Sequence, residues 1–178
     1  FLTYFFEKKL SSLAGEDAVV LHVSPEKGIS DILKNRFNNG YVSVDISTKR
    51  QPTVLADVTK LGFKNDSFDM VLCFAVLEHI SDDSAAISEI MRVIKPNANA
   101  LITVPMDWSV EFTQERKEPD SLEHFHYRLY GRDFLDKLKI FGFAVEVINS
   151  DDVVEETDKK KLQLNEVRII LAHKPVSG

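Results

Sequence analysis

The sequence predicts an α/β fold with a mostly parallel sheet of seven strands and helices on both faces. Short β-branched runs alternate with longer segments of helical spacing, which is typical of successive strand–helix–strand units. The run Phe68–Cys73 is nearly continuously apolar, as expected for a strand buried on both faces. Polar residues follow the ends of several runs, and in an open α/β sheet those carboxyl ends form the ligand crevice.

The N-terminal half supplies the first elements. The apolar opening of the chain is interrupted by Glu7, Lys8 and Lys9, and it predicts an amphipathic helix that ends near Gly15. A further helix is predicted over Gly28–Phe37. The β-branched and apolar runs around it predict four strands: Ala18–Val23, Tyr41–Val44, Thr53–Ala56 and Phe68–Cys73.

The C-terminal half continues the alternation. A helix is predicted over Ser84–Ile94, because Ile87, Ile90, Met91 and Ile94 share one face and Pro96 marks its end. The next helix, Phe134–Phe141, carries Leu135, Leu138 and Phe141 on one side and stops at Gly142. The remaining predicted strands are Ala100–Val104, Phe143–Ile148 and Val167–Ala172.

Two connecting segments stand out. Pro105–Tyr127 is polar, aromatic and aperiodic, and so long a connection in a compact domain is usually functional or mobile, so we predict an insertion or lid over 105–127. Asp151–Lys161 carries mixed charge and predicts a solvated loop. No repeat or low-complexity linker divides the chain, so we expect residues 1–178 to form a single domain.

Composition limits the class of function. The net charge is −6, which argues against a broad nucleic-acid interface, because phosphate binding needs clustered Lys and Arg. We therefore expect a small-molecule substrate and no nucleic-acid partner. The apolar opening is shorter than the roughly 20 residues needed to span a bilayer, so no membrane partner is expected. The single cysteine, Cys73, excludes an intramolecular disulfide and favours a cytoplasmic location. The sequence does not indicate an oligomeric state.

Several motifs carry a family resemblance. The stretch Leu61–Cys73, continued by Val76–Ile80, resembles the fourth-strand signature of class I methyltransferases, the Rossmann-like family that uses S-adenosylmethionine. Glu89–Pro96 followed by Leu101–Pro105 resembles the family's next helix and strand. The similarity extends from Val19 to Lys174 and implies a doubly wound, Rossmann-like sheet. More narrowly, two stretches resemble a subgroup of bacterial methyltransferase-like proteins associated with surface-polysaccharide or sugar metabolism: Leu21–Gly28 and His126–Phe134.

The resemblance implies that the turn after the first strand cradles the methionine part of the cofactor. Where the family has an acid and three glycines, this chain has His22, Ser24, Glu26 and Gly28, with Pro25 between them. Glu26 is placed to contact the cofactor's ammonium group, and its charge also suits a helix N-terminus. The alternative is that Pro25 and Glu26 only begin a helix.

The resemblance assigns the adenosine to three further strand ends. Asp45, with Ile46 beside it, follows the second strand, where a carboxylate can accept hydrogen bonds from both ribose hydroxyls. Asp57 matches the acid that meets the adenine amino group, and Val58 is its apolar neighbour. Phe74 and Ala75 match positions beside the adenosine and the sulfur. A turn aspartate at 57 and a core phenylalanine at 74 are the alternatives.

Candidate catalytic residues are His79, His126 and Arg128. His79 is placed to act as a base, and Arg128 to clamp a carboxylate or phosphate. The alternatives are helix packing for Glu78 and His79, and a charged surface loop for His126 and Arg128. We expect no metal site, since the histidines lie on separate elements without recognisable ligand spacing.

The leading hypothesis is transfer of a methyl group from S-adenosylmethionine to a small-molecule or sugar-like acceptor. A second hypothesis keeps the fold but not the chemistry, because few glycines follow the first strand: a catalytically degenerate binding module. A nicotinamide-dependent oxidoreductase is the third, but its G-x-G-x-x-G fingerprint is missing.

Overall fold

A computed structural model describes residues 2–121, 124–154 and 167–176. Its helices are α1 (Leu2–Leu13), α2 (Lys27–Phe37), α3 (Asp83–Val93) and α4 (Asp133–Ile140). Its strands are β1 (Val20–Val23), β2 (Tyr41–Asp45), β3 (Val54–Leu55), β4 (Phe68–Phe74), β5 (Ile94–Thr103), β6 (Gln114–Asp120), β7 (His126–Leu129), β8 (Ala144–Asn149) and β9 (Arg168–His173).

Seven strands form one sheet in the order β3-β2-β1-β4-β5-β9-β8. The first five are parallel, whereas β9 runs antiparallel to both β5 and β8. The predicted mostly parallel, doubly wound α/β fold is confirmed. The reversed direction of β9 brings its N-terminal residues to the edge where the parallel strands end.

Strand β4 shows how the sequence builds a core on both faces. Val71 and Cys73 belong to one buried cluster with Ile87 and Ile90 of α3, whereas Met70 and Leu72 belong to the other with α1 and α2. Successive strand residues point to opposite faces, so one apolar run serves both. Each fully buried Leu, Ile or Phe contributes about 1.5–3 kcal/mol.

The helix α1 closes one face of the sheet. Phe5, Phe6 and Leu10 are buried, and the Phe6 ring lies 6.0 Å from the Phe74 ring of β4. The helix ends at Leu13, close to the predicted end at Gly15. Among the described residues, no helix has both the length and the apolar character needed to cross a bilayer.

One predicted helix end is wrong, and one segment predicted to be aperiodic contains paired strands. The helix α3 ends at Val93 and β5 begins directly at Ile94, so Pro96 lies in a strand and not at a helix end. The segment 105–127 is not aperiodic throughout, because β6 and β7 pair as an antiparallel ribbon, with Glu115 opposite Arg128. The charged β6 has no apolar alternation to reveal it. Of the predicted loop Asp151–Lys161, positions 155 onward lie outside the described residues.

Candidate functional site

Three adjacent parallel strands end at one edge of the sheet and open a cleft there. Val23 of β1 is in register with Val44 of β2 and Cys73 of β4, so the residues that follow lie side by side. Two of them, Ser24 and Ala75, have positive φ angles of 51° and 49°. Such backbone costs on the order of 1–3 kcal/mol in residues other than glycine, and it is typical of ligand sites.

The cleft has a volume of about 390 Å³. It is lined by Ser24 of the turn after β1 and by most of the residues expected to contact adenosine: Asp45, Ile46, Asp57, Val58 and Ala75. The Ile46 side chain is 77% exposed, whereas Val58 is buried. An apolar surface therefore lies next to two carboxylates.

Asp45 is held at the end of β2. One carboxylate oxygen accepts a hydrogen bond from the Ser47 amide at 2.8 Å, and the other lies 3.9 Å from the Arg50 guanidinium. Arg50 also donates long hydrogen bonds to the carbonyls of Ser24 and Pro25, at 3.4 and 3.5 Å. Arg50 thus links the turn after β1 to the carboxylate at the end of β2.

Asp57 is fixed by its own turn at the rim of the cleft. Its Oδ1 accepts hydrogen bonds from the amide and the hydroxyl of Thr59, both at 2.8 Å. This local turn is the alternative that the sequence left open. It occupies one carboxylate oxygen, and the residue still lines the cleft.

Two predicted cofactor contacts are wrong. His22 is fully buried on the other face of the sheet, where its Nδ1 lies 3.1 Å from the Tyr41 hydroxyl and its ring packs on Phe74. Phe74 is itself 3% exposed, in the core cluster that contains α1. Strand alternation explains both placements, because each side chain points away from the face that borders the cleft.

The buried environment of His22 changes its proton affinity. The Tyr41 hydroxyl donates to Ser30 at 3.0 Å, so the Nδ1 of His22 is the donor to Tyr41. Burial, with a smaller contribution from the positive charge of Arg50, lowers the pKa of His22 to about 4. His22 is therefore neutral at pH 7.

The remaining turn residues lie outside the cleft lining. Pro25 is buried, and Glu26 precedes α2 as its cap residue without a side-chain capping bond. Burial raises the pKa of Glu26, and the positive charge of Arg50 acts in the opposite direction. Gly28 lies in the first turn of α2, and a Cβ there would have open space around it. The helix-start alternative for Pro25 and Glu26 agrees with this placement.

A second, larger cavity of about 670 Å³ adjoins the first. Both cavities are lined by Ala75 and His79. The other walls of the larger cavity come from the end of β5, the following segment, the ribbon and the start of β9, and they include Thr103, Pro105, Met106, Trp108, His124, His126 and Arg168. The Arg168 guanidinium lies over the Trp108 ring at 4.4 Å. The sequence analysis missed Arg168, because strand periodicity does not reveal that β9 is antiparallel.

Glu78, His79 and His126 converge on the wall of the larger cavity. The two imidazole rings meet edge to face with centroids 4.7 Å apart. Glu78 is 1% exposed, and its Oε2 has no hydrogen-bond partner among the described residues. Burial raises the pKa of Glu78 to about 7, although its backbone hydrogen bond and the Arg128 charge act in the opposite direction. His79 and His126 lie on separate elements but are close in space. The prediction of no metal site from their separation along the sequence therefore rests on a wrong argument.

Arg128 does not face the cavity as predicted. Its side chain is 3% exposed and donates to the carbonyls of Leu77, Ile80 and Ser81 at 3.0, 2.6 and 2.8 Å. Its Nε donates to Glu115 of the neighbouring ribbon strand at 3.0 Å. With its donors committed to these groups, Arg128 ties the ribbon to the turn that carries Glu78 and His79.

Comparison with known proteins adds a family match. A family model described as "Methyltransferase domain" matches residues 9–102. An uncharacterized protein of Methanocaldococcus jannaschii is 29% identical over 140 residues, covering 76% of this chain and 59% of that protein. The demethylmenaquinone methyltransferase of Streptomyces avermitilis is 41% identical over 51 residues, covering 29% of this chain and 22% of that enzyme. The chain thus spans less than two thirds of the length of these curated relatives.

A solved structure shares the fold across nearly the whole chain. The Burkholderia thailandensis 1,6-didemethyltoxoflavin-N1-methyltransferase, solved with 1,6-didemethyltoxoflavin and S-adenosylhomocysteine, superposes with a TM-score of 0.65. The alignment has 17% sequence identity and covers 94% of this chain and 75% of the other. At that identity the likeness establishes the shared architecture alone.

Proposed function

The chain belongs to the class I S-adenosylmethionine-dependent methyltransferase family, and we propose that it transfers a methyl group from S-adenosylmethionine to a small-molecule acceptor. The observation that carries this proposal is the junction of the two cavities at Ala75 and His79. A cofactor in the smaller cleft and an acceptor in the larger cavity would meet at that junction.

The smaller cleft fits the cofactor. Its volume of about 390 Å³ lies within the usual range of about 300–1,000 Å³ for small-molecule sites. In this proposal the carboxylate of Asp45 accepts hydrogen bonds from the ribose hydroxyls, and that of Asp57 accepts one from the adenine amino group. Ile46 and Val58 offer the apolar surface that a purine ring needs. The backbone at Ser24 borders the space left for the methionine part.

The chain's own contribution to the reaction is positioning. When bound, S-adenosylmethionine supplies a methyl group on a positively charged sulfur, which is already a strong electrophile. Holding an acceptor atom in line with that methyl group accounts for much of the acceleration such a site can provide. The walls near Thr103, Met106 and Trp108 would orient the acceptor, with His79 and His126 at its polar end.

A small acceptor suits the larger cavity better than a nucleic acid does. The cavity, of about 670 Å³, is bounded by aromatic, apolar and polar side chains. The chain carries a net charge of −6, which disfavours a long phosphate backbone. A sugar-like acceptor agrees with the narrower resemblance in the sequence. A cytoplasmic location stays a prediction from the single cysteine, Cys73, which is buried.

Calorimetry with S-adenosylhomocysteine, the demethylated product, tests the cofactor site. We expect saturable binding by the native chain and at least tenfold weaker binding by Asp45→Asn, because both ribose hydrogen bonds lose a charged acceptor. Asp136→Asn is the matched control, since this carboxylate lies on the exposed side of α4, and it should bind as the native chain does. Absence of saturable binding, or equal affinities for all three proteins, would overturn the proposal.

A second candidate is binding without transfer. It is favoured by the turn after β1, where Gly28 is the single glycine and the Arg50 guanidinium contacts two turn carbonyls. A chain that binds S-adenosylmethionine but releases no S-adenosylhomocysteine across a broad set of hydroxyl, amine and carboxylate acceptors would support it. The oxidoreductase hypothesis is set aside by the family assignment.

A further inference from the structure

The cluster of Glu78, His79 and His126 has the composition of a metal site. One carboxylate oxygen of Glu78 and one ring nitrogen from each histidine all lie within 4.8 Å of one another. Two imidazoles and a carboxylate, with further positions open, form a set that binds divalent zinc or iron in proteins. From this juxtaposition we propose that Glu78, His79 and His126 bind a divalent first-row transition-metal ion at the wall of the larger cavity.

The buried carboxylate of Glu78 is the first argument. Glu78 is 1% exposed, and among the described residues its Oε2 accepts no hydrogen bond. A buried polar atom without a partner is costly and calls for an explanation such as an ion. Glu78 lines the same cavity as both histidines, so a cation there would supply the missing partner.

The framework that holds the ligands is the second argument. His126 shares β7 with Arg128, and Arg128 donates to the carbonyls of Leu77 and Ile80 on either side of the other two ligands. The two elements that carry the ligands are therefore tied together without help from an ion. Metal affinity benefits when ligands are already held close to their bound positions.

The neighbouring charge of Arg128 does not require Glu78 as its counter-ion. Arg128 lies 3.0 Å from a Glu115 oxygen and 3.8 Å from an Asp83 oxygen. Its charge is thus met by Glu115 and partly by Asp83, which also pairs with Lys137. The described residues show no ion pair between Arg128 and Glu78. Ligand atoms around zinc are spaced by about 3.4 Å when each bond is about 2.0–2.1 Å long, so each pair of ligand atoms must approach by at most about 1.4 Å on binding.

The larger cavity gives the ion a role. Three protein ligands leave at least one coordination position open, as in catalytic metal sites. That position would face the cavity, where the ion could hold an oxygen of the acceptor near the junction at Ala75 and His79. This role rests on the proposed methyl transfer, whereas metal binding itself does not.

Titration of the chelator-stripped full chain with Co²⁺, followed by visible absorption, tests the site without cofactor or acceptor. Competition by Zn²⁺ against a chromophoric chelator gives the affinity. We expect one equivalent to bind, and Glu78→Gln and His126→Asn each to weaken binding at least about tenfold, because even loss of an outer-shell partner costs about 10–100-fold. The control His124→Asn, an exposed histidine whose ring lies 6.0 Å from that of His126, should bind as the native chain does.

The outcomes separate the possibilities. The proposal would be overturned if neither Co²⁺ nor Zn²⁺ binds. It would also be overturned if His126→Asn keeps the native metal affinity, or if His124→Asn loses as much metal affinity as His126→Asn does. Circular dichroism identifies a variant that does not fold. If Glu78→Gln fails to fold, the metal affinity of His126→Asn still decides the test. Neither Glu78 nor His126 lines the smaller cleft, so both variants should keep their affinity for S-adenosylhomocysteine. The metal proposal and the cofactor proposal can therefore fail independently.

Discussion

The guanidinium of Arg128 donates a 2.6 Å hydrogen bond to the carbonyl oxygen of Ile80 and joins two elements that are distant in sequence. The same side chain reaches the carbonyls of Leu77 and Ser81. A residue that looks like a substrate clamp in the sequence is instead the support beneath the candidate catalytic histidines.

Replacing Arg128 with methionine should destabilise the protein strongly. The change removes a donor from three carbonyl oxygens and a buried cation from beside the buried carboxylate of Asp83, and breaking a buried ion pair costs about 3–5 kcal/mol. Urea denaturation should show a loss of about 3 kcal/mol or more in the free energy of unfolding. Arg36→Met is the control, because Arg36 pairs with the exposed Glu16, and it should change stability by less than about 1 kcal/mol. Similar small losses in both variants would contradict the structural role.

Acid should destabilise the fold through His22. Its pKa is about 4 in the folded chain and 6.5 as the ordinary value, so the unfolded chain takes up the proton first as the pH falls. The stabilisation is complete above pH 6.5 and is lost as the pH falls toward 4, by roughly 3 kcal/mol. His22→Asn should flatten that part of the curve of unfolding free energy against pH. Parallel curves for His22→Asn and the native chain would contradict the assigned shift.

A substitution at Ile46 tests whether its exposed side chain contacts the cofactor or is an ordinary surface residue. Its side chain is 77% exposed, so Ile46→Ala should leave the free energy of unfolding within about 0.5 kcal/mol of the native value. If adenine covers it, calorimetry should show S-adenosylhomocysteine binding several-fold more weakly, since burying each CH₂ group is worth about 0.8 kcal/mol. Ile140→Ala, at an 84% exposed position of α4, is the matched control. Unchanged affinity in Ile46→Ala would remove Ile46 from the site.

Gly131 is required where the chain leaves the ribbon. A Cβ at this position would lie 2.6 Å from the backbone carbonyl carbon of Phe112, so the two segments would have to separate. Gly131→Ala should lower the melting temperature, with a loss of about 1–3 kcal/mol typical of overpacking. Gly15→Ala is the control, because a Cβ at Gly15 would meet no atom within 4 Å. Equal melting temperatures for the two variants would contradict the close approach.

The sequence predicted the fold more fully than the site. Regular alternation of apolar runs was enough to place the seven strands of the main sheet, because burial imposes the period of each element. The ribbon of β6 and β7 was not predicted, because β6 (Gln114–Asp120) is charged and is ordered by strand pairing and not by burial.

The structure brings predicted site residues together where a strand end alone determines their position, and their contacts with a cofactor stay predictions. Asp45, Asp57 and Ala75 line the cleft because each lies at or just after the carboxyl end of a parallel strand. The predictions for His22 and Arg128 were wrong because the direction of a side chain and its tertiary partners decide whether that side chain is exposed to solvent. The meeting of His79 with His126 depends on how the ribbon docks, which local patterns do not reveal.

A crystal structure with S-adenosylhomocysteine tests the central claim most directly. The ribose hydroxyls should hydrogen-bond to Asp45, the adenine amino group to Asp57, and the sulfur should lie beside Ala75 and face the larger cavity. Density for the ligand in another part of the molecule, or an adenosine beyond hydrogen-bonding distance of both carboxylates, would contradict it.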